Sequence, residues 1–283
     1  MSDKSGVLYL CATPIGNLED MTYRAVRILG EVPVIAAEDT RHTRNLLNHF
    51  AIRTPLISYH EHNKAQRGPE LINRLLAGED IAVVSDAGLP GISDPGSDLV
   101  KLAVEAGITV SPLPGPNAAL AGVVCSGLDT RMFLFAGFLP KTTKKRRELL
   151  RELAAVPYTL VIYETPHRLI DTLGELVAAC GDRPAVAGRE LTKKFEEFCR
   201  GTLDSLKGHF ECTAPRGEFT LIVAGNKESG LPQAPAELPD PIQAVSALVA
   251  TGVAKKEAIR MVATQQGRSR REVYQAVLGQ EKG

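Results

Sequence analysis

The chain has 283 residues, enough for two domains of ordinary size, and its 44% hydrophobic and 23% charged residues are those of a water-soluble globular protein. Its 33 Lys and Arg balance 33 Asp and Glu, so global charge selects no partner and any nucleic-acid footprint must be local. Five cysteines with no Cys-x-x-Cys pair argue against a disulfide framework or zinc knuckle, and no run nears the ~20 apolar residues of a membrane span; a cytoplasmic protein is expected.

Val7–Ala12 reads as a first strand, too short for a signal-peptide core, and Thr13-Pro14-Ile15-Gly16-Asn17 ends it. Ala25, Val26, Ile28 and Leu29 predict a helix stopped at Gly30. Val34–Ala37 is a buried strand that breaks into Glu38-Asp39-Thr40-Arg41-His42-Thr43, and Leu46, Leu47 and Phe50 continue as a helix. Leu56–Ser58 is a third strand, followed by the polar loop His60-Glu61-His62-Asn63 and a helix over Leu71–Leu76. Ile81–Val84 is a fourth, and the loop after it, Ser85–Gly96, holds three glycines, two prolines and two aspartates before Leu99, Leu102, Ala103 and Ala106 resume a helix. That loop is longer and chemically richer than the 2–6 residues a βα connection takes. A fifth strand starts at Ile108 and ends at Pro112-Leu113-Pro114-Gly115-Pro116. Apolar strands alternating with helices predict a parallel sheet covered on both faces, with these loops on its carboxyl edge, where open α/β sheets bind ligands.

A second α/β block follows Ala118–Ser126. Phe133–Ala136 and Tyr158–Tyr163 are its first strands, and the latter ends in Glu164-Thr165-Pro166-His167-Arg168 before a helix through Leu169, Leu173, Leu176 and Val177. Pro184–Arg189 and Phe195–Arg200 read as a strand pair around Glu190-Leu191-Thr192-Lys193, and Phe219–Ala224 as the last strand. The expected division is 1–116, an α/β domain; 117–226, a second α/β domain with a mixed sheet; 227–240, a proline-bearing linker; and 241–283, a small helical tail. In the tail, three apolar helical faces resemble a helix-turn-helix bundle, and Ser269-Arg270-Arg271-Glu272 has capping-box spacing. The tail carries seven Lys or Arg and three Glu, and a second basic cluster lies at Lys141, Lys144, Lys145, Arg146, Arg147 and Arg151. Either cluster is a solvated helix face or a footprint for nucleic-acid phosphates.

Common catalytic signatures are missing. There is no G-x-G-x-x-G, no Walker A and no G-x-S-x-G, and His60-Glu61-His62 lacks the spacing that puts two histidines on one helix face, so no metal is expected. Glu38, Asp39, Arg41 and His42 sit just past a buried strand, either as chemistry or as an N-cap at Asp39 or Thr40 with Arg41 solvated.

The ordered set Thr13–Leu18, Ala37–Thr43, Ser85–Gly88 with Ser93–Gly96, Pro112–Pro116, Tyr163–Arg168 and Arg189–Lys193 resembles the tetrapyrrole-methylase-like, class III methyltransferases, from about Leu8 to Ala224. Within them it resembles the bacterial branch that methylates a cytidine 2′-hydroxyl of small-subunit ribosomal RNA, and the basic tail fits that branch. Where that branch usually has threonine this chain has Leu89, which leaves a backbone rather than a hydroxyl contact. The resemblance implies S-adenosylmethionine in a cleft between two α/β domains, a homodimer, and a cytidine in the decoding region of 16S ribosomal RNA, in the small ribosomal subunit, as substrate. It implies donor contacts at Pro14, Asp86, Ala87, Gly88, Pro90, Asp94, Leu113, Gly115, Ala118, Tyr163, Glu164 and Leu191. Candidate bases are Glu38, Asp39 and His42, and candidate RNA contacts Arg41, Arg168, Lys255, Lys256, Arg268, Arg270 and Arg271. A small-molecule methyltransferase of the same fold, or a non-catalytic RNA-binding module, remains open on these residues.

Overall fold

The computed structural model describes residues 5–227, 240–266 and 268–280. The chain divides into two compact units between Asn226 and Lys227. In the first, β1 (Val7–Cys11), α1 (Tyr23–Glu31), β2 (Val34–Ala37), α2 (Thr40–His49), β3 (Leu56–Ser58), α3 (Lys64–Leu76), β4 (Ile81–Val84), α4 (Gly96–Glu105) and β5 (Thr109–Leu113) alternate in chain order. Among the described residues these strands form one five-stranded sheet in the order β3-β2-β4-β1-β5, with every neighbour parallel. All residues of β2 and β4 are buried. Their side chains alternate between two cores: Ile35, Ala37, Ala82 and Val84 meet α1 and α2 through Ile28, Leu29 and Leu47, while Val34, Ala36, Ile81 and Val83 meet α3 and α4 through Leu71, Leu75 and Leu99. Burial on both faces is why these strands are unbroken apolar runs. Each such Leu or Ile side chain contributes about 1.5–3 kcal/mol.

The helix pairs on opposite faces place the chain reversal between the adjacent strands β1 and β4. At such a switch point the loops leave in opposite directions and open a crevice at the carboxyl edge. The loops after β1 and β4 border it and are joined there by Thr13 and Gly88, each donating its N–H to the other's carbonyl at 2.9 and 3.0 Å.

The second sheet holds β6 (Phe133–Phe138), β7 (Thr159–Glu164), β8 (Pro184–Arg189), β9 (Glu197–Thr202) and β10 (Phe219–Val223), in the order β6-β7-β10-β8-β9. Only β6 and β7 run parallel; β7, β10, β8 and β9 alternate in direction, so the sheet is mixed as expected. One face packs on α6 (Thr143–Ala155), α7 (Leu169–Cys180) and α8 (Leu203–Cys212). The other receives α5 (Ala118–Ser126), which comes so close that a Cβ on its Gly122 would stand 2.9 Å from the Thr220 side chain.

Several strand ends shift by one or two residues from expectation, and four boundaries differ for a local reason. Gly30 lies inside α1, and the helix ends at Glu31 because Val32 precedes Pro33 and is driven to extended backbone. α3 starts at Lys64, well before Leu71, because its first turns carry no apolar periodicity. β5 runs on through Pro112, which a ladder tolerates because β5 is an edge strand. β9 starts at Glu197, since the preceding turn is closed by Glu196, whose carboxylate accepts the Thr192 N–H at 2.6 Å.

In the second unit α9 (Pro241–Ala250), α10 (Lys255–Gln266) and α11 (Arg270–Gln280) enclose Val245, Ala258, Val262, Val273 and Val277. Ser269 and Glu272 form the capping box: Ser269 donates its N–H to the Glu272 carboxylate at 2.9 Å and its Oγ accepts the Glu272 N–H at 3.2 Å. Most of the expected linker, residues 228–239, lies outside the described residues, as does Gly267, where a glycine after Val262 predicts a helix stop. No helix among the described residues is long and apolar enough to cross a membrane.

Candidate active site

The loops after β1, β2 and β4 meet the β7 edge and the β8–β9 turn around a cavity of about 390 Å³, within the range of small-molecule sites. On the first-sheet side three carboxylates brace backbone. Asp86 Oδ1 accepts the Asp39 N–H at 2.9 Å, which ties the β4 loop to the β2 loop. Asp94 accepts the N–H of Gly91 at 2.8 Å and of Gly96 at 2.7 Å, folding 91–96 into a tight turn. A Cβ on Gly96 would stand 2.7 Å from the Gly91 nitrogen, and Gly88 and Gly91 have φ of +87° and +91°, so glycine is required for this shape. Asp39 caps α2, accepting the N–H of Arg41 at 2.8 Å and of His42 at 3.4 Å. The Arg41 guanidinium also grips it, holding its carboxyl far below the usual range. Glu38 is different. Burial, with the Asp86 and Asp94 charges adding to it, pushes its carboxyl above the ordinary glutamate value, against a hydrogen bond from the Asp86 backbone.

The second sheet supplies aromatic and strained elements. Tyr163 stands between Phe135 and Phe138, with ring centroids 4.9 and 5.5 Å away, and its hydroxyl accepts the Ala119 N–H at 3.1 Å at the start of α5. Burial raises the Tyr163 phenol. Glu164 is fully buried as a side chain, accepts from Thr172 Oγ1 at 2.7 Å and the Thr165 N–H at 2.8 Å, and lies 3.7 Å from Arg168. Glu190 and Thr192 adopt left-handed backbone (φ +50° and +66°) around buried Leu191, and Lys193 bridges Glu190 and Glu218 at 2.9 and 3.2 Å. The stem of Lys193 lies where a Cβ on Gly16 would be, so this turn reaches the β1 loop across the cavity.

Of the expected donor contacts, Asp86, Ala87, Gly88, Asp94, Ala118, Tyr163, Glu164 and Leu191 line this cavity. Pro14, Pro90, Leu113 and Gly115 do not; Leu113 and Pro90 are buried, and Gly115 packs on Ala12. Of the candidate bases, Glu38 lines the cavity; Asp39 and His42 do not. Leu89, expected to keep a backbone contact, also lines the cavity, whereas Ile15, Ile92, Phe138, Lys193 and Thr220 were not foreseen. Ile15 and Leu89 lie inside stretches the sequence marks, but Thr220 belongs to a strand with no local signal. Arg168 donates to the Leu139 carbonyl at 3.2 Å beside Glu164, and Arg41 is exposed and paired with Asp39, so both are engaged within the chain. In the second unit Lys255, Lys256, Arg270 and Arg271 gather with Tyr274 along an α10–α11 groove, while Arg268 is exposed outside it. Among the described residues no group of three His, Cys, Asp or Glu is placed to hold a metal ion.

Residues 7–207 match the family model of the Tetrapyrrole (Corrin/Porphyrin) Methylases. The chain belongs to this family. The family consists of S-adenosylmethionine-dependent methyltransferases. The chain is 51% identical over 273 residues to the "Ribosomal RNA small subunit methyltransferase I" of Halalkalibacterium halodurans, covering 96% of this chain and 94% of that one. It is 48% identical to the Synechocystis protein of the same name, covering 96% and 98%, and 46% identical to that of Bacillus subtilis, covering 96% and 94%. Among solved structures, the uroporphyrin-III C-methyltransferase of Thermus thermophilus complexed with S-adenosyl homocysteine superposes with a TM-score of 0.55 at 22% identity, over 77% of this chain and 97% of that one. A diphthine synthase superposes with a TM-score of 0.58 at 14% identity, over 78% and 90%. These two likenesses concern the family's fold.

Proposed function

We propose that this family member transfers the methyl group of S-adenosylmethionine, held in the cavity between the two sheets, to the 2′-hydroxyl of a cytidine in the decoding region of 16S ribosomal RNA. The observation that carries the reading is the 51% identity, over nearly the whole chain, to a protein named as a small-subunit ribosomal RNA methyltransferase. The cavity fits the donor: glycine turns at 88 and 91 admit close backbone approach, Ile15 and Leu191 offer apolar contact, and acidic side chains suit a cationic ligand. Bound there, the donor supplies an activated methyl group, and the chain supplies alignment.

Glu38 is the base of this reading. Glu38 would accept the ribose hydroxyl proton as that oxygen is methylated. Asp39 shapes the α2 entrance instead, because a carboxyl held low by Arg41 is a poor proton acceptor. The basic tail docks RNA phosphates through Lys255, Lys256, Arg270 and Arg271. A homodimer belongs to the same reading; the exposed Leu120 and Val124, one turn apart on α5, are apolar surface suited to a second copy.

The test is incubation of the full chain with small ribosomal subunits lacking the modification and with labelled donor, followed by mapping of the label. A label on a decoding-region cytidine ribose is expected. Label on a base, on another nucleotide, or only on an added tetrapyrrole rejects the reading.

A further inference from the structure

The cations around α6 have no place in the site described above. Lys141, Lys144, Lys145, Arg147 and Arg151 are exposed, and among the described residues none of their side chains forms an ion pair or hydrogen bond. Several exposed cations elsewhere on the first unit sit on carboxylates, as Arg27 does on Glu31, Arg67 on Glu70 and Arg131 on Asp129, and those that do not, such as Arg53 and Arg216, are scattered singly rather than gathered in a row. Lys144, Arg147 and Arg151 follow helical spacing and so form one row about 10 Å long. Glu148 and Glu152 lie along one flank of the row without pairing to it.

The row is fixed relative to the cavity. Phe138 is both a cavity wall and the last residue of β6, and Lys141 follows three residues later. Between them, the Leu139 carbonyl is held by Arg168, which neighbours the cavity residue Glu164. Arg146, the one paired cation of the cluster, anchors α6 to Glu175 of α7 at 2.6 Å. Leu150 and Leu153, the apolar face of the helix, are already buried in the core. A helix that lies on a membrane needs that face free for the bilayer, so the outward charges suit a polyanion in water.

We propose that Lys141 and the Lys144–Arg151 face of α6 form a docking surface for the sugar–phosphate backbone of the RNA strand that delivers its nucleotide to the cavity. This rests on the reading of RNA as substrate and adds a contact on the same unit as the cavity, separate from the tail. Such contacts fix register and orientation and carry no sequence information.

The test compares the full chain with Lys144→Glu/Arg147→Glu/Arg151→Glu, in filter binding to transcribed small-subunit ribosomal RNA over a salt series. Binding weaker by more than tenfold at ~0.1 M salt is expected, with the slope of log affinity against log salt shallower by about 2–3 for three lost phosphate contacts. The thermal shift produced by S-adenosylmethionine should stay as in the parent chain. Should the triple variant fail to fold, Lys144→Gln/Arg147→Gln should still weaken binding and reduce the slope by about 1.5. Parental affinity and slope in the folded variants overturn the proposal, as does a loss seen only with vesicles of anionic lipid. Failure of the reading beneath it looks different: the parent chain binds the RNA but places no label on it.

Discussion

The two sheets build one cavity by different physical means. The parallel sheet delivers every strand end to one edge, so its loops meet without long reach and are locked by carboxylate-to-backbone hydrogen bonds: Asp86 to Asp39, and Asp94 to Gly91 and Gly96. The mixed sheet, apart from its parallel pair β6 and β7, sends neighbouring strand ends in opposite directions. It reaches the same cavity with the ends of β6 and β7, the start of β10, and a turn at Glu190–Lys193 that is strained at two residues. A parallel edge gathers chemistry through topology; a mixed edge must recruit it through side-chain length and local strain.

The sharpest attempt to break this contrast is Glu38→Gln. If the first-sheet edge holds the chemistry, transfer falls by about 10²-fold or more while donor binding is kept, and near-parental single-turnover rates would remove the base. The pH dependence has a definite sign. Glu38 must be ionised to accept the proton and its carboxyl is pushed up, so transfer should rise with pH over a range above that of an ordinary glutamate. The glutamine variant should lose that rise. In the folded chain the same raised carboxyl holds its proton longer than in the unfolded chain, so its contribution to stability falls as pH climbs through that window.

Next comes Asp94→Ala, which strands two N–H groups of the glycine turn. It should destabilise the first unit by about 1–3 kcal/mol and weaken donor binding, read by thermal melting with and without S-adenosylmethionine. Deleting residues 241–283 lies outside both sheets and serves as the control for the contrast. RNA affinity should drop about tenfold, as expected for losing a few phosphate contacts, with the donor shift intact; unchanged RNA affinity would make the tail a packing element. The smallest effect belongs to Tyr163→Phe on the second sheet. It removes one hydrogen bond to Ala119, worth about 1 kcal/mol, and should change donor affinity only a few-fold.

The same contrast governs what could be read from the sequence. β2 and β4 were legible because burial on both faces leaves apolar runs, and their loops stood out because glycine, proline and aspartate cluster there. Asp86, Gly88 and Asp94 were legible as a site for the same reason, although their bracing roles were not. Asp39 had two readings in the sequence, and the cap of α2 is the one visible in the geometry. On the mixed sheet, Phe138 and Thr220 come to the cavity only through pairing across the sheet, which leaves no trace in spacing. Lys193 was inside a recognised motif, but its role depends on the bareness of Gly16, more than 170 residues away in sequence. Arg168 and Glu164 stand four residues apart in one recognised motif, but only the fold shows that Glu164 is buried there and lies 3.7 Å from Arg168.

Ser93, Glu190 and Thr192 are three of the four non-glycine residues with positive φ among the described residues, and Ser93 and Glu190 stand on opposite walls of the cavity. Such backbone holds of order 1–3 kcal/mol each against relaxation. An engineer seeking a hardier protein would therefore find ready gains in Ser93→Gly or Thr192→Gly. Those gains would come from turns at the cavity's edge, so resilience to heat and grip on the ligand should trade against each other there.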